Sequence, residues 1–308
     1  MEKAIADWLL EGPTWLRYAV ELQLLNKKPD PEQVVSDVSI TEIISELKGV
    51  HGVPAIKTGA VSYKGNVYWD LFFLADIGLT INDIRFEQEA KSIYNLQSPD
   101  GTFTIMDGTR SSYFCIPTML LSTLKKMGYS EKEKLQKFIQ LIFQTQRLDG
   151  GWHCAQQRAV GHRLQDSESC PMDNLNILML LGQFKEYRED TKLHGALDLL
   201  LTHWDRRDEK WRPYGFGIGT DFKKLKYPAI TYGILRVLDA LSCFPYAVEH
   251  PSFESMMEEV RGKSQNGKYY AESVVKHFSQ FDFGQKKEPS RWITFLMNRV
   301  EKRLTSLD

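Results

Sequence analysis

Apolar residues recur with helical spacing along almost the whole chain. Met119, Leu120, Leu124 and Met127 share one side of one segment, and Leu135, Phe138, Ile139 and Ile142 follow the i, i+3, i+4, i+7 pattern in the next. Runs that alternate polar and apolar positions are scarce, so the pattern predicts an all-α chain. Two kinds of helix are legible. Strongly apolar ones are expected to start near residues 13, 66, 117, 171, 228 and 289. Five of these starts carry a proline (Pro13, Pro117, Pro171, Pro228 and Pro289), which suits a first helical turn because the missing N–H would have no partner there. Half-polar helices are expected near 2–11, 31–48, 81–97, 131–147, 191–204 and 252–263.

The alternation has a period. Gln97-Ser-Pro-Asp-Gly-Thr-Phe103 and Gln146-Arg-Leu-Asp-Gly-Gly-Trp152 share the order Gln-x-x-Asp-Gly-x-aromatic about fifty residues apart, with weaker echoes at Asp208–Trp211 and Asn266–Tyr269. At about 150 residues per domain the length would suggest two domains. A helical hairpin cannot bury its apolar face alone, however, and six hairpins closing on one another solve that problem. The expectation is one domain over residues 1–308, an (α/α)6 toroid with the apolar helices inside.

Composition narrows the function only slightly. Thirty-nine basic and forty acidic residues give a formal charge of −1, and a nucleic-acid binder usually shows a basic surplus. No apolar run approaches the ~20 residues of a membrane span, and the amino terminus has no signal-like apolar core. With only four cysteines, a reduced, cytoplasmic setting is expected. Seven tryptophans leave open whether the aromatics fill a core or line a cavity for an apolar ligand.

The two Gln-x-x-Asp-Gly-x-aromatic segments resemble the repeat of squalene and hopene cyclases, which protein prenyltransferase β-subunits share in looser form. Gly150-Gly-Trp-His-Cys154, Ser169-Cys-Pro171 and Pro289-Ser-Arg-Trp-Ile-Thr294 look like a group of bacterial and archaeal cyclase-like proteins. The resemblance implies an α/α toroid and an apolar, isoprenoid-like ligand. It does not carry over the chemistry, because neither an Asp-x-Asp-Asp acid nor an Asp-Asp-x-x-Asp motif occurs. The zinc set of the prenyltransferases (one Asp, one Cys, one His) has candidates here by type but no matching motif. The repeat itself reads as a staple, with Gln bonding a neighbouring hairpin, Asp-Gly turning and the aromatic packing across the junction.

In such a ring the amino ends of the inner helices gather at one face, which would favour anions and reactive thiols. Cys115 and Cys170 lie at inner-helix starts, and Cys154 follows the second repeat. With His162 they form a candidate zinc set, although buried cysteine is often only a small apolar residue. His153, Asp166 and Glu168 lie nearby in sequence, and Cys243 reads as core. Trp15, Trp69, Tyr232, Trp292 and Arg291 are the candidate ligand-binding residues, and Asp70, Asp173 and Arg291 the candidate catalytic ones. Arg291 could instead pair with Asp173. A glycosidase or lyase alternative would draw on Asp107, Asp166, Asp173 and Asp221. A third reading is a non-catalytic assembly module. The loop from Trp211 to Tyr227, with Gly215, Gly217 and Gly219, is long enough for a lid. The basic runs Lys223/Lys224/Lys226 and Lys286/Lys287/Arg299/Lys302/Arg303 read as solvated faces.

Overall fold

A computed structural model describes residues 1–49, 67–103, 114–153, 168–230 and 232–306. Its helices are, in chain order, α1 (Lys3–Leu10), α2 (Thr14–Ala19, prolonged by a π-turn over Val20–Leu24), α3 (Glu32–Val35), α4 (Val38–Gly49), α5 (Val67–Ile77), α6 (Glu87–Tyr94), α7 (Cys115–Lys126) and α8 (Lys132–Gln144). There follow α9 (Pro171–Leu181), α10 (Lys185–Arg188), α11 (His194–Asp205), α12 (Thr220–Lys223), α13 (Ile234–Leu241), α14 (Pro245–Val248), α15 (Pro251–Arg261) and α16 (Arg291–Leu304). The strands among the described residues are a short antiparallel ribbon, Tyr269–Tyr270 with Pro289–Ser290. The chain is mostly helical, as its periodicity predicts.

Helices α5, α7 and α9 bury nearly every side chain, as helices apolar on all sides must. Each of α2, α5, α7, α9, α13 and α16 packs on the next, and α16 packs back on the π-turn that prolongs α2. The more polar helices attach to these: α4 to α5, α11 to α9, and α15 to both α11 and α13. Buried apolar residues from Ile5 to Val300 make one continuous core. No described helix is long and apolar enough to cross a membrane.

The six share a direction, because their carboxyl ends are joined. Gln23, at the end of the π-turn, donates to the carbonyls of Asp76 and Ile77, and Gln183, just past α9, donates to that of Ser122 in α7. Both α5 and α7 stop the same way. Gly78 and Gly128 take positive φ of 104° and 80°, and the next residue's N–H returns to the carbonyl of Leu74 or Leu124. Glycine is the residue that enters this left-handed cap without strain.

The repeat performs the stapling its residues suggest. The Gln97 amide donates to Gly101 O at 3.1 Å and to Lys134 O, in the first turn of α8, at 2.9 Å. Gln146 does the same with Gly150 O at 2.6 Å and with Lys192 O, just before α11, at 2.7 Å. Phe103 packs edge-on against Phe138 of the following helix, and the Trp152 indole donates to Ile142 O at 2.7 Å. Asp149 closes its turn by accepting from the Gly151 N–H and from both the backbone and the hydroxyl of Ser169.

Three local expectations change. Helix α13 starts at Ile234 instead of near Pro228, because Gly233 is extended and caps it while Pro228 sits in a preceding turn. The stretch 31–48 divides into α3 and α4, since the Asp37 carboxylate caps a new start by accepting from the Ser39 N–H. Neither basic run is wholly a solvated face. Lys226 is buried against Asp221, and Arg299 is buried in an ionic network described below.

Candidate functional site

Two of the four aromatic candidates from the sequence, Trp15 and Trp292, meet in packed core, while Trp69 lies edge-on to Phe72. Trp15 lies edge-on to Phe73 and to Trp292 at 5.4 Å each, and Phe281, Phe283 and Tyr227 complete the cluster. Tyr232 belongs to another group, stacked on His203. Arg291 does not meet Asp173. Its Nε donates to Trp8 O at 3.0 Å, its guanidinium lies over the Trp8 ring, and its carboxylate neighbour is Glu11 at 3.7 Å. Asp173 is fully buried in the first turn of α9. Of the thiols, Cys115 opens α7 and Cys170 caps the adjacent α9, while Cys154, His162, Asp107 and Asp166 lie outside the described residues. Cys243 is in contact with the core, and burial raises its thiol pKa.

The residue that joins several of these helices is Arg236, in the first half of α13. It is 5% exposed, and its guanidinium faces the rings of Trp69 and Phe72 on α5 at 5.3 and 5.7 Å. Nη2 donates to Asn176 Oδ1 on α9 at 2.6 Å, and Asn176 in turn donates to Cys115 O on α7 at 3.1 Å. Nη1 reaches Ala229 O at 3.3 Å, and the sulfurs of Met172 and Met179 flank the fork. This side chain thus links α13 to α5, which is not next to it in the packing order, as well as to α9. Among the described residues no carboxylate pairs with it, and Nε is buried without a partner. Burial brings its pKa down to about 10, which leaves it charged at neutral pH.

Asp70, in the first turn of α5, is 1% exposed. Its Oδ1 lies 2.7 Å from His277 Nε2, and Glu46 Oε2 on α4 lies 4.0 Å from the same nitrogen. Asp70 Oδ2 is buried with no hydrogen-bond partner. The hydrogen bond to Asp70 raises the His277 pKa above its ordinary value, with the two carboxylates adding to the effect and partial burial opposing it. His277 sits in a short 3-10 turn, and one edge of its ring environment is open to solvent through the exposed Glu46.

The loop after Trp211 covers a third polar position. His203 of α11 is 1% exposed, stacks on Tyr232 at 5.4 Å, and meets the edge of Trp211. Phe216 packs against Tyr232, and Tyr214 stacks on His153. Burial lowers the His203 pKa to about 4, with the pull of the Phe216 backbone carbonyl on the ring N–H opposing part of the shift. The ring is therefore neutral at physiological pH.

At the opposite, carboxyl ends of the helices the charges are paired. Asp76 of α5 accepts from Lys126 of α7, from Arg299 of α16 at 3.1 Å, and from the Tyr227 hydroxyl at 2.8 Å. Arg299 also bonds Asp239 of α13 at 3.1 Å, and Arg303 bonds the same carboxylate at 3.2 Å. Burial works against the Asp239 charge, yet Arg299, Arg303 and Lys126 outweigh it and hold the carboxyl far below its ordinary range.

The sequence reading located Asp70 but not its partners. His277 is 207 residues away from it in the chain, and nothing in its neighbourhood marks it as a partner. Arg236 did carry a signal, since a charge flanked by apolar positions of a buried helix must face inward. No protein-family model matches this chain, and no curated protein shows significant similarity to it.

Proposed function

We propose that the protein is an α/α toroid of the cyclase and prenyltransferase kind that binds a small molecule with an apolar body and one anionic group between its inner helices. Support for the toroid is the cyclic packing order of six apolar helices that share one direction, together with the two Gln staples. The observation that carries the ligand reading is Arg236. A buried guanidinium without a carboxylate is costly, and a ligand anion would relieve that cost by a charge-assisted fork. Trp69, Phe72, Met172 and Met179 supply apolar surface around it. Arg236 itself offers one full positive charge, which suits a carboxylate better than a multiply charged diphosphate. An isoprenoid carboxylic acid is the class of ligand that fits.

Isothermal titration with a farnesyl-length isoprenoid acid tests this reading. The expected result is saturable binding that weakens at least tenfold in Arg236→Met and is absent for the corresponding alcohol. Equal affinity of the acid for wild type and Arg236→Met would overturn it. Zinc content of the same preparations, compared with a Cys115→Ala, Cys154→Ala, Cys170→Ala variant, reads the thiol set proposed from the sequence.

A further inference from the structure

We infer that Glu46, Asp70 and His277 form a binding site for a divalent transition metal of the zinc class. The site stands apart from the Arg236 reading and from the thiol set, because it contains no cysteine and draws its ligands from α4, α5 and the 3-10 turn over Lys276–Phe278.

The donor atoms are already gathered. One ligand atom from each residue lies within 4.8 Å of the other two. Metal bonds of about 2.0–2.2 Å at a tetrahedral angle place ligand atoms roughly 3.3–3.5 Å apart. The two measured separations, 2.7 Å from Asp70 to His277 and 4.0 Å from Glu46 to His277, bracket that value. The third separation, between Glu46 and Asp70, is at most 4.8 Å, so a metal would draw the side chains together by about 1–1.5 Å at most. Exposed Glu46 has the freedom to make that movement.

Asp70 supplies the independent indication. Its Oδ2 is fully buried and accepts no hydrogen bond, which is rare for a carboxylate oxygen in a folded interior. His277 bonds only the other oxygen, so the carboxylate keeps lone pairs that no hydrogen bond meets among the described residues. A cation answers both that deficit and the juxtaposition of two carboxylates.

Donor chemistry narrows the cation. An imidazole nitrogen disfavours magnesium and calcium, which prefer all-oxygen shells, and suits zinc, manganese, iron or cobalt. Two carboxylates and one neutral imidazole make a neutral complex with a divalent ion. Three protein ligands leave the fourth position open on the solvent side, where Glu46 is exposed. Any proton on the His277 nitrogen that faces Asp70 must leave that nitrogen before it can bind a metal.

The test is a titration of chelator-treated full-length protein with zinc, and separately with cobalt(II) followed by absorption. The expected result is one equivalent bound and visible cobalt bands without a thiolate charge-transfer band. Affinity should fall at least tenfold in His277→Ala, several-fold in Glu46→Gln, and not at all when the three thiols Cys115, Cys154 and Cys170 are replaced. Glu46→Gln is a surface change, so the comparison survives even where an Asp70→Asn variant fails to fold. Unchanged zinc affinity in both His277→Ala and Glu46→Gln would overturn the site, as would a thiolate band or the absence of saturable binding.

Discussion

The two ends of the six packed apolar helices hold charge differently. At the carboxyl ends Asp76, Asp239, Lys126, Arg299 and Arg303 form an ion-paired network that ties α5, α7, α13 and α16 together, although Arg299 Nε is buried without a partner among the described residues. Toward the amino ends Arg236 Nε, Asp70 Oδ2 and Asn174 Oδ1 are buried without partners among the described residues, and His203 is held neutral. A folded chain spends stability to keep polar groups unsatisfied, and it tends to do so where a ligand completes them. The contrast is one of pairing: the carboxyl-end charges lock one another, whereas the amino-end groups lack such partners among the described residues.

The largest expected effect breaks the lock. Asp76→Ala removes the acceptor shared by Lys126, Arg299 and Tyr227 and leaves Arg299 partly uncompensated in the core. Breaking a buried network in this way costs about 3–5 kcal/mol, read as a lower urea midpoint with unchanged slope. A loss below about 1 kcal/mol would mean the network is not a lock.

The next effect lies under the loop at the amino end. His203 titrates near 6.5 when unfolded and near 4 when folded, so below 6.5 the unfolded chain binds the proton that the fold refuses. Stability should fall as the pH drops from 6.5 toward 4 and level off below that, by about 3 kcal/mol for this residue alone. Comparing unfolding of wild type and His203→Phe across this range isolates the contribution, and parallel pH profiles would refute it.

The smallest effect has the opposite sign and sharpens the comparison most. Arg236→Met removes a buried charge that pairs with no carboxylate among the described residues and adds a side chain suited to the thioether surroundings. The variant should be between neutral and about 2 kcal/mol more stable, while losing the proposed ligand. Destabilisation beyond about 1 kcal/mol would place Arg236 with the lock instead.

How much of this could be read in advance depended on distance along the chain. The Gln97 and Gln146 staples were legible because Asp-Gly and the aromatic recur at a fixed local offset, and their contacts proved to be the ones that spacing suggests. Arg299 was misread as surface because the segment around it is rich in basic residues, and only Asp76 and Asp239, from two other helices, make its burial tolerable. Arg291, read as a candidate site residue with Asp173 as its alternative partner, lies near Glu11 instead, since the proximity of α1 to α16 is not written in either segment.

The sequence by itself determined what short-range physics controls: the helical period, the apolar helices, the glycine caps at the ends of α5 and α7, and the stapled turns. Tertiary structure alone decided which charges face one another. Helix formation and turn closure involve residues a few positions apart, whereas the pairing of Asp70 with His277, or of Arg236 with Asn176 and the α5 rings, joins side chains separated by 207 and 60 or more residues. Such pairings follow from the order in which helices pack, and a single linear pattern does not encode that order.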